Sequence, residues 1–272
     1  MLWDTHIHTC HSVDSTADLE ETILSAIQYG LEGICITDHV DYDHPKCALK
    51  KNKPEEFVLN TANQNRELLP LKEKYQDQIQ IFTGTEIGLQ THVVDENVNY
   101  IAKNDFDFII ASSHAVHGFD PCSKPYFEGK TEENAYREYF ECILENITVF
   151  DDFDIYGHID YIVRYDPNRN ANYTYQKYAD LIDEIYIQLI QKGKGIELNT
   201  AGLKYGLGHP HPTEDALKRY RELGGEIITI GSDAHIPEHV GYDFHLVPDY
   251  LKNAGFRYYT VFENRKPRMK KL

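Results

Sequence analysis

A largely parallel α/β sheet or barrel is the fold class that this sequence predicts. Two observations carry the expectation. Short apolar runs rich in β-branched residues alternate with longer stretches of helical periodicity, the rhythm of repeated strand and helix units. At 272 residues the chain also has the length at which β/α barrels form one domain, so residues 1–272 are expected to fold as a single domain.

Strands are predicted near 2–6, 33–37, 79–85, 107–112, 154–158, 195–199 and 227–231, with an eighth candidate at 258–262. Between the first two, 18–29 places Leu19, Ile23, Ala26 and Ile27 on one face, and Gly30 follows as a C-terminal stop. Helices are predicted by the same reasoning at 55–75, 132–147, 175–193 and 213–223. Stretches 40–54, 117–131 and 200–212 lack periodicity and carry turn-forming residues, so they read as long loops. No repeat, low-complexity tract or interdomain linker is visible.

Composition narrows the functional classes. There are 44 acidic against 27 basic residues, a formal net charge of −17, and that field repels a phosphate backbone. A polymeric nucleic-acid partner is not expected. No apolar run approaches the roughly 18 residues of a membrane span, and MLWDTHIH enters core sequence directly, so neither a membrane segment nor a leader is expected. Five cysteines without paired spacing suggest neither a disulfide framework nor a thiolate metal site, which fits a reducing cytoplasm.

The strand ends carry the chemistry. The first strand ends in His6 and His8, which share one face of an extended chain, and His11 follows. The second ends in Asp38 and His39, the third in Glu86, the fourth in His114, the fifth in His158, and the seventh in Asp233 and His235. A lone histidine is ordinarily a core or surface residue. Repetition changes that reading, because the C-terminal ends of parallel barrel strands converge and an apolar core would not tolerate so many unneutralised polar groups. Divalent cations resolve the conflict. The nine groups His6, His8, His11, His39, Glu86, His114, His158, Asp233 and His235 exceed what one ion takes, so two or three are expected, with Glu86 as a bridging carboxylate. Imidazole and carboxylate without thiolate suit Zn, Mn or Fe and do not choose among them. Asp38 is expected to help orient a ligand imidazole. Cys10 is expected to be a small buried spacer, and His209, His211, His239 and His245 to be surface loop residues.

In order, DTHIHTCHSVDS, GICITDH, TGTEIG, IIASSHAVHG, YGHIDYIVRY, IELNTAGLKYG and IGSDAHIPEHVGYDF resemble the polymerase and histidinol phosphatase (PHP) superfamily, over most of the chain. Within it, YGHIDYIVRY and NTAGLKYG look most like the histidinol-phosphate phosphatases. The resemblance implies a distorted (β/α)7 TIM-like barrel with a metal cluster at the C-terminal ends of its strands. It implies one ion held by His6, His8, Glu86 and Asp233, a second by Glu86, His114 and His158, and a third by His11, His39 and His235. Arg164 and Lys204 fall where the family places basic groups near a substrate phosphate; Lys204 stands where arginine is expected in many relatives, which weakens bidentate recognition there. His117 is expected at the mouth of the site, and with Glu86 and Asp233 it completes the implied catalytic set.

The implied reaction is hydrolysis of L-histidinol phosphate, a small phosphomonoester, to L-histidinol and phosphate, a step of histidine biosynthesis. A PHP phosphoesterase acting on another small ester, a nucleotide or a short oligonucleotide shares the same metal site. An amidohydrolase-type C–N hydrolase also opens with HxH on a barrel strand, but His11, the TDH of the second strand and Glu86 in place of a bridging lysine fit it poorly. A noncatalytic metal-binding module would be expected to have lost part of the ligand set.

Overall fold

The computed structural model describes residues 1–45 and 57–272. Seven parallel strands form a nearly closed barrel in the order β1 (Trp3–Ile7), β2 (Gly33–Ile36), β4 (Gln80–Gly88), β5 (Phe108–Ser112), β6 (Ile155–Tyr156), β7 (Gly195–Asn199) and β8 (Ile228–Gly231). A further two-residue strand, β3 (His39–Val40), continues beyond β2 after an interruption at Thr37 and Asp38 and pairs with the upper half of β4. Helices α1 (Leu19–Tyr29), α2 (Thr61–Tyr75), α3 (Val94–Ile101), α4 (Lys124–Phe127), α5 (Glu132–Val149), α6 (Ala179–Gln191), α7 (Ala201–Lys204), α8 (Glu214–Glu222) and α9 (Val247–Asn253) lie between or after the strands. The strand rhythm predicts a parallel barrel, and the distorted seven-stranded form is the one that the resemblance implies.

The local chemistry of α1 is as expected. Asp18 accepts from the amides of Glu20 and Glu21, and Gly30 closes the helix in the left-handed region at φ 82°. The helix predicted over 55–75 begins later, at Thr61, because the Asn60 side chain accepts from the Asn63 amide and caps it there. Residues 46–54 of the predicted loop and 55–56 of that predicted helix lie outside the described residues. The predicted fifth strand shrinks to Ile155–Tyr156, and the chain turns just beyond His158, at Ile159 and Asp160.

Closure of the barrel depends on a buried acid. Asp4 Oδ1 accepts from the Ser232 and His6 amides and Oδ2 from the Ser232 hydroxyl and the Gly241 amide, tying the loop after β8 to β1. Backbone bonds from Asp233 N to His6 O at 2.9 Å and His8 N to Ala234 O at 2.8 Å extend the seam upward. Those bonds bring His6, His8 and Asp233 together from opposite ends of the sequence.

The eighth candidate strand forms, but outside the barrel. Residues Tyr258–Glu263 (β9) pair antiparallel with Lys266–Lys271 (β10) and hydrogen-bond to no barrel strand. Their apolar residues have another use: Phe262 stacks on Phe108 with centroids 5.2 Å apart and packs with Cys35, Ile110 and Ile155, closing the end of the barrel where the strands begin. Arg265 Nε donates to Asp154 Oδ2 at 2.7 Å and pins the hairpin tip. Phe262→Ala is therefore expected to lower the free energy of unfolding by about 3 kcal/mol, read from urea denaturation. An unchanged midpoint would show that the hairpin does not plug the barrel.

Candidate metal centre

The C-terminal mouth of the barrel gathers buried imidazoles and carboxylates around Glu86, which projects from β4 with no solvent exposure. Glu86 Oε2 lies 3.2 Å from His6 Nε2 and 3.4 Å from His8 Nε2. Those two nitrogens are 3.1 Å apart, and Asp233 Oδ1 is 3.5 Å from His8 Nε2 and 3.9 Å from His6 Nε2. On the other side, Glu86 Oε1 faces His158 Nε2 at 2.9 Å and His114 Nε2 at 3.3 Å. Donors about 2.0–2.1 Å from a tetrahedral zinc ion are about 3.3 Å from one another. Both sets have edges of that length, and both share one carboxylate.

Donor chemistry agrees with these distances. Glu86 Oε2 is buried with no hydrogen-bond partner, an arrangement that proteins rarely leave uncompensated. His6 Nδ1 donates to Glu197 Oε1 and His114 Nδ1 to Asp41 Oδ1, each at 2.8 Å, so in the neutral ring that binds a metal Nε2 is the lone pair that faces Glu86. Asp38 acts one bond further out: Ser12 Oγ donates to it at 2.6 Å and lies 3.3 Å from His8 Nδ1. Gly231 lacks a side chain where one is forbidden, since a Cβ there would come within 2.1 Å of Glu197 Oε1 and 2.4 Å of His6 Cβ.

The electrostatics are those of a desolvated, mutually neutralised cluster. Burial alone would raise the Glu86 carboxyl, but His6, His114 and His39 outweigh it and hold it well below its ordinary value. Burial likewise opposes ionisation of Asp233, and Arg164 and His6 override it. Burial lowers His114 less than the Asp41 and Glu86 carboxylates raise it, leaving it at about 10. A divalent cation would supply the same neutralisation and leave the imidazoles neutral as ligands.

A third donor set differs from the expectation. His39 Nε2 and His235 Nε2 converge on Asp14 Oδ2 at 3.5 and 3.4 Å, with Asp14 at the cavity rim. His11 is not brought there. Its Nε2 lies 3.2 Å from Glu67 Oε2, and its nearest donor group is Cys10 with Glu67. The turn after β1 explains the exchange: Thr9 and Ser12 both bond to Asp38, which fixes the loop so that Asp14 faces the cavity and His11 faces α2. The only sequence signal for Asp14 was its place in the loop that follows the HxH strand.

Other residues divide similarly. Arg164 and Lys204 line the same cavity of about 690 Å³ as Glu86, His114, His158, Asp233 and His235. Arg164 is buried, not surface-solvated, and its Nη1 pairs with Asp233 Oδ2 at 2.8 Å. Lys204 Nζ donates to the Asp233 carbonyl at 2.9 Å. His117 is not at the mouth: it adopts φ 48°, and its ring bonds Glu138 and Glu145 of α5 at 3.3 and 3.0 Å, half exposed. It does not line the cavity that holds Glu86 and Asp233, contrary to the catalytic role expected of it. Cys10 is exposed, since the same turn directs it outward. His211 is fully buried, whereas His245 is exposed and His209 and His239 are partly exposed.

Fold and donor set together define a barrel protein whose C-terminal mouth gathers imidazoles and carboxylates that could hold metal ions. Residues 4–201 match the PHP domain, and the chain belongs to that family. It is 31% identical over 268 residues to the histidinol-phosphatase of Lactococcus lactis subsp. lactis, spanning 97% of this chain and 95% of that protein. A probable histidinol-phosphatase of Clostridium acetobutylicum is also 31% identical over 268 residues, spanning 97% and 98%. The crystal structure of histidinol phosphate phosphatase from Lactococcus lactis, complexed with zinc, L-histidinol and phosphate, superposes with a TM-score of 0.90 at 29% identity, covering 98% of each chain.

The third donor set can be tested by metal analysis of purified variants. Asp14→Ala is expected to lower metal affinity at one site by roughly tenfold or more, while His11→Ala leaves metal content unchanged. The reverse pattern would restore His11 as the ligand.

Proposed function

We propose that this chain is a metal-dependent phosphomonoesterase that hydrolyses L-histidinol phosphate to L-histidinol and phosphate, working with zinc or another divalent transition metal. The observation that carries the reading is the joining of an arginine to the donor cluster in one cavity: Arg164 Nη2 is buried there without a partner. A guanidinium nitrogen so placed is suited to a phosphate oxygen. Likeness over nearly the whole chain to a histidinol-phosphatase supports the choice of ester.

His6, His8, Glu86 and Asp233 would hold one ion; Glu86, His114 and His158 would hold a second; Asp14, His39 and His235 would hold a third. When bound, such ions lower the pKa of water toward neutrality and offset charge on phosphoryl oxygens. The protein's own groups complete the chemistry. Arg164 Nη2 and the Lys204 ammonium bind the nonbridging oxygens and orient phosphorus for in-line attack. The Asp233 carboxylate, ionised beside Arg164, takes a proton from the attacking water and returns it to the leaving alcohol oxygen. Tyr161, Tyr165 and Tyr205 narrow the mouth around the phosphate.

The cavity has the volume of a small-molecule site. The Asp120 carboxylate on its wall favours an ester that carries an amine, and the net charge of −17 disfavours a polyanion. L-histidinol phosphate has that amine, and a polynucleotide does not.

The test is a comparison of specificity constants for metal-loaded protein on histidinol phosphate, other small monoesters, nucleotides and short oligonucleotides. Histidinol phosphate is expected to be preferred, and chelation to abolish turnover. Arg164→Ala is expected to lower kcat/KM by roughly tenfold or more, about 1.4 kcal/mol, with metals still bound. More efficient cleavage of a nucleotide would overturn the substrate assignment; full activity after metal removal would overturn the mechanism.

A further inference from the structure

Arg164 is gripped on several sides at once. Its Nε donates to His211 Nε2 at 3.0 Å, and its Nη1 pairs with Asp233 Oδ2 at 2.8 Å. The rings of Tyr161 and Tyr205 each lie 5.0 Å from the guanidinium carbon. Only Nη2 is left without a partner.

His211 reaches this place from a distant segment. Its backbone pairs in both directions with Asn199 at the end of β7, at 2.7 and 2.8 Å, which carries the loop beyond α7 back against the barrel. The ring is fully buried, and its Nδ1 lies 2.5 Å from Asp160 Oδ1. Asp160 itself has no exposure and stands in the segment that also supplies Arg164.

The direction of each hydrogen bond follows from the donor inventory. Arginine Nε carries a hydrogen and cannot accept. His211 Nε2 must therefore be the acceptor, so the ring's proton sits on Nδ1 and is donated to Asp160. Burial lowers the ring to about 4 against the pull of Asp160, which keeps it neutral at physiological pH. A protonated or Nε2–H ring would point a donor at a donor.

We propose that His211, oriented by Asp160, is the positioning residue that turns the Arg164 guanidinium so that Nη2 meets the substrate phosphate. The proposal rests on the phosphatase reading above. Asp233 alone fixes one nitrogen and leaves the guanidinium plane free to swing about that contact; the second bond at Nε, between two tyrosine rings, fixes the plane. His211 thus acts through Arg164 and touches neither the ester nor the cation ligands.

Two substitutions separate this role from space filling. His211→Gln places an amide oxygen near the position of Nε2 and can still accept from Arg164. His211→Asn places an amide nitrogen near the position of Nδ1, keeps the bond to Asp160 and presents nothing to Arg164. Inhibition by inorganic phosphate and KM are measured on metal-loaded protein, with metal content and folding checked for each variant. His211→Asn is expected to weaken phosphate binding by about tenfold to a hundredfold, and His211→Gln by less than about threefold. In an Arg164→Ala background the Asn substitution should have no further effect on phosphate. Equal losses in both variants, or a full additional loss without Arg164, would overturn the proposal and leave His211 as core packing. A wild-type protein that binds no phosphate and hydrolyses no phosphomonoester would overturn the functional reading and this proposal together. Nitrogen-15 spectra of the wild-type protein give a variant-free check: a neutral Nδ1–H tautomer is expected at His211 at neutral pH, and an Nε2–H tautomer or an imidazolium would contradict it.

Discussion

A single buried carboxylate, Glu86, organises the mouth of this barrel. Removing a carboxylate from water costs several kcal/mol, whereas a full opposite charge about 3 Å away contributes roughly 5 kcal/mol at an effective dielectric near 20. The compensation therefore has to be local, and four strand ends supply it. His6 and His8 come from β1, His114 follows β5, His158 follows β6, and His39 opens β3 beside Glu86 in register. The parallel barrel is the architecture that brings these ends to one point, and the Asp4 seam adds Asp233 from the far end of the chain.

The groups behind the cluster have equally specific duties. Glu197 holds His6 and also accepts from the His158 amide, so one carboxylate sets two neighbours of Glu86. Asp41 accepts from His114 Nδ1 and lies 3.2 Å from His39 Nδ1, so it too faces two neighbours of Glu86. The same device recurs on the substrate side, where Asp160 orients His211 and His211 in turn meets Arg164. Carboxylate, imidazole and functional group form a repeated unit here. In one use the final group is a cation site and in the other it is a guanidinium.

Much of this was legible in the sequence because barrel strands couple a simple pattern to a fixed geometry. β-branched runs marked the seven barrel strands, and the C-terminal ends of parallel barrel strands all lie at one mouth. Legibility failed where loops decide direction. His11 and Asp14 share one turn, and Asp38, by anchoring Thr9 and Ser12, determines which of them faces the cavity. His117 lies only three residues past His114, yet a positive φ turns it toward Glu138 and Glu145. His211 looked like a surface loop residue because its burial depends on pairing with Asn199, a contact that spacing does not reveal. The run at 258–262 has strand composition, but it covers the lower end of the barrel as half of a hairpin, since bonds between β1 and the segment after β8 already bridge the seam.

The role of Glu86 is tested most directly by anomalous diffraction at the metal absorption edges, on crystals of protein purified without chelators. Two peaks are expected, one on each side of the Glu86 carboxylate, the first beside His6, His8 and Asp233 and the second beside His114 and His158, with a third beside Asp14, His39 and His235. In Glu86→Gln both of the first two peaks should weaken together while the third persists. Peaks of undiminished height in that variant, or no peak within bonding distance of Glu86 in the wild-type protein, would contradict the view that this carboxylate bridges the centre.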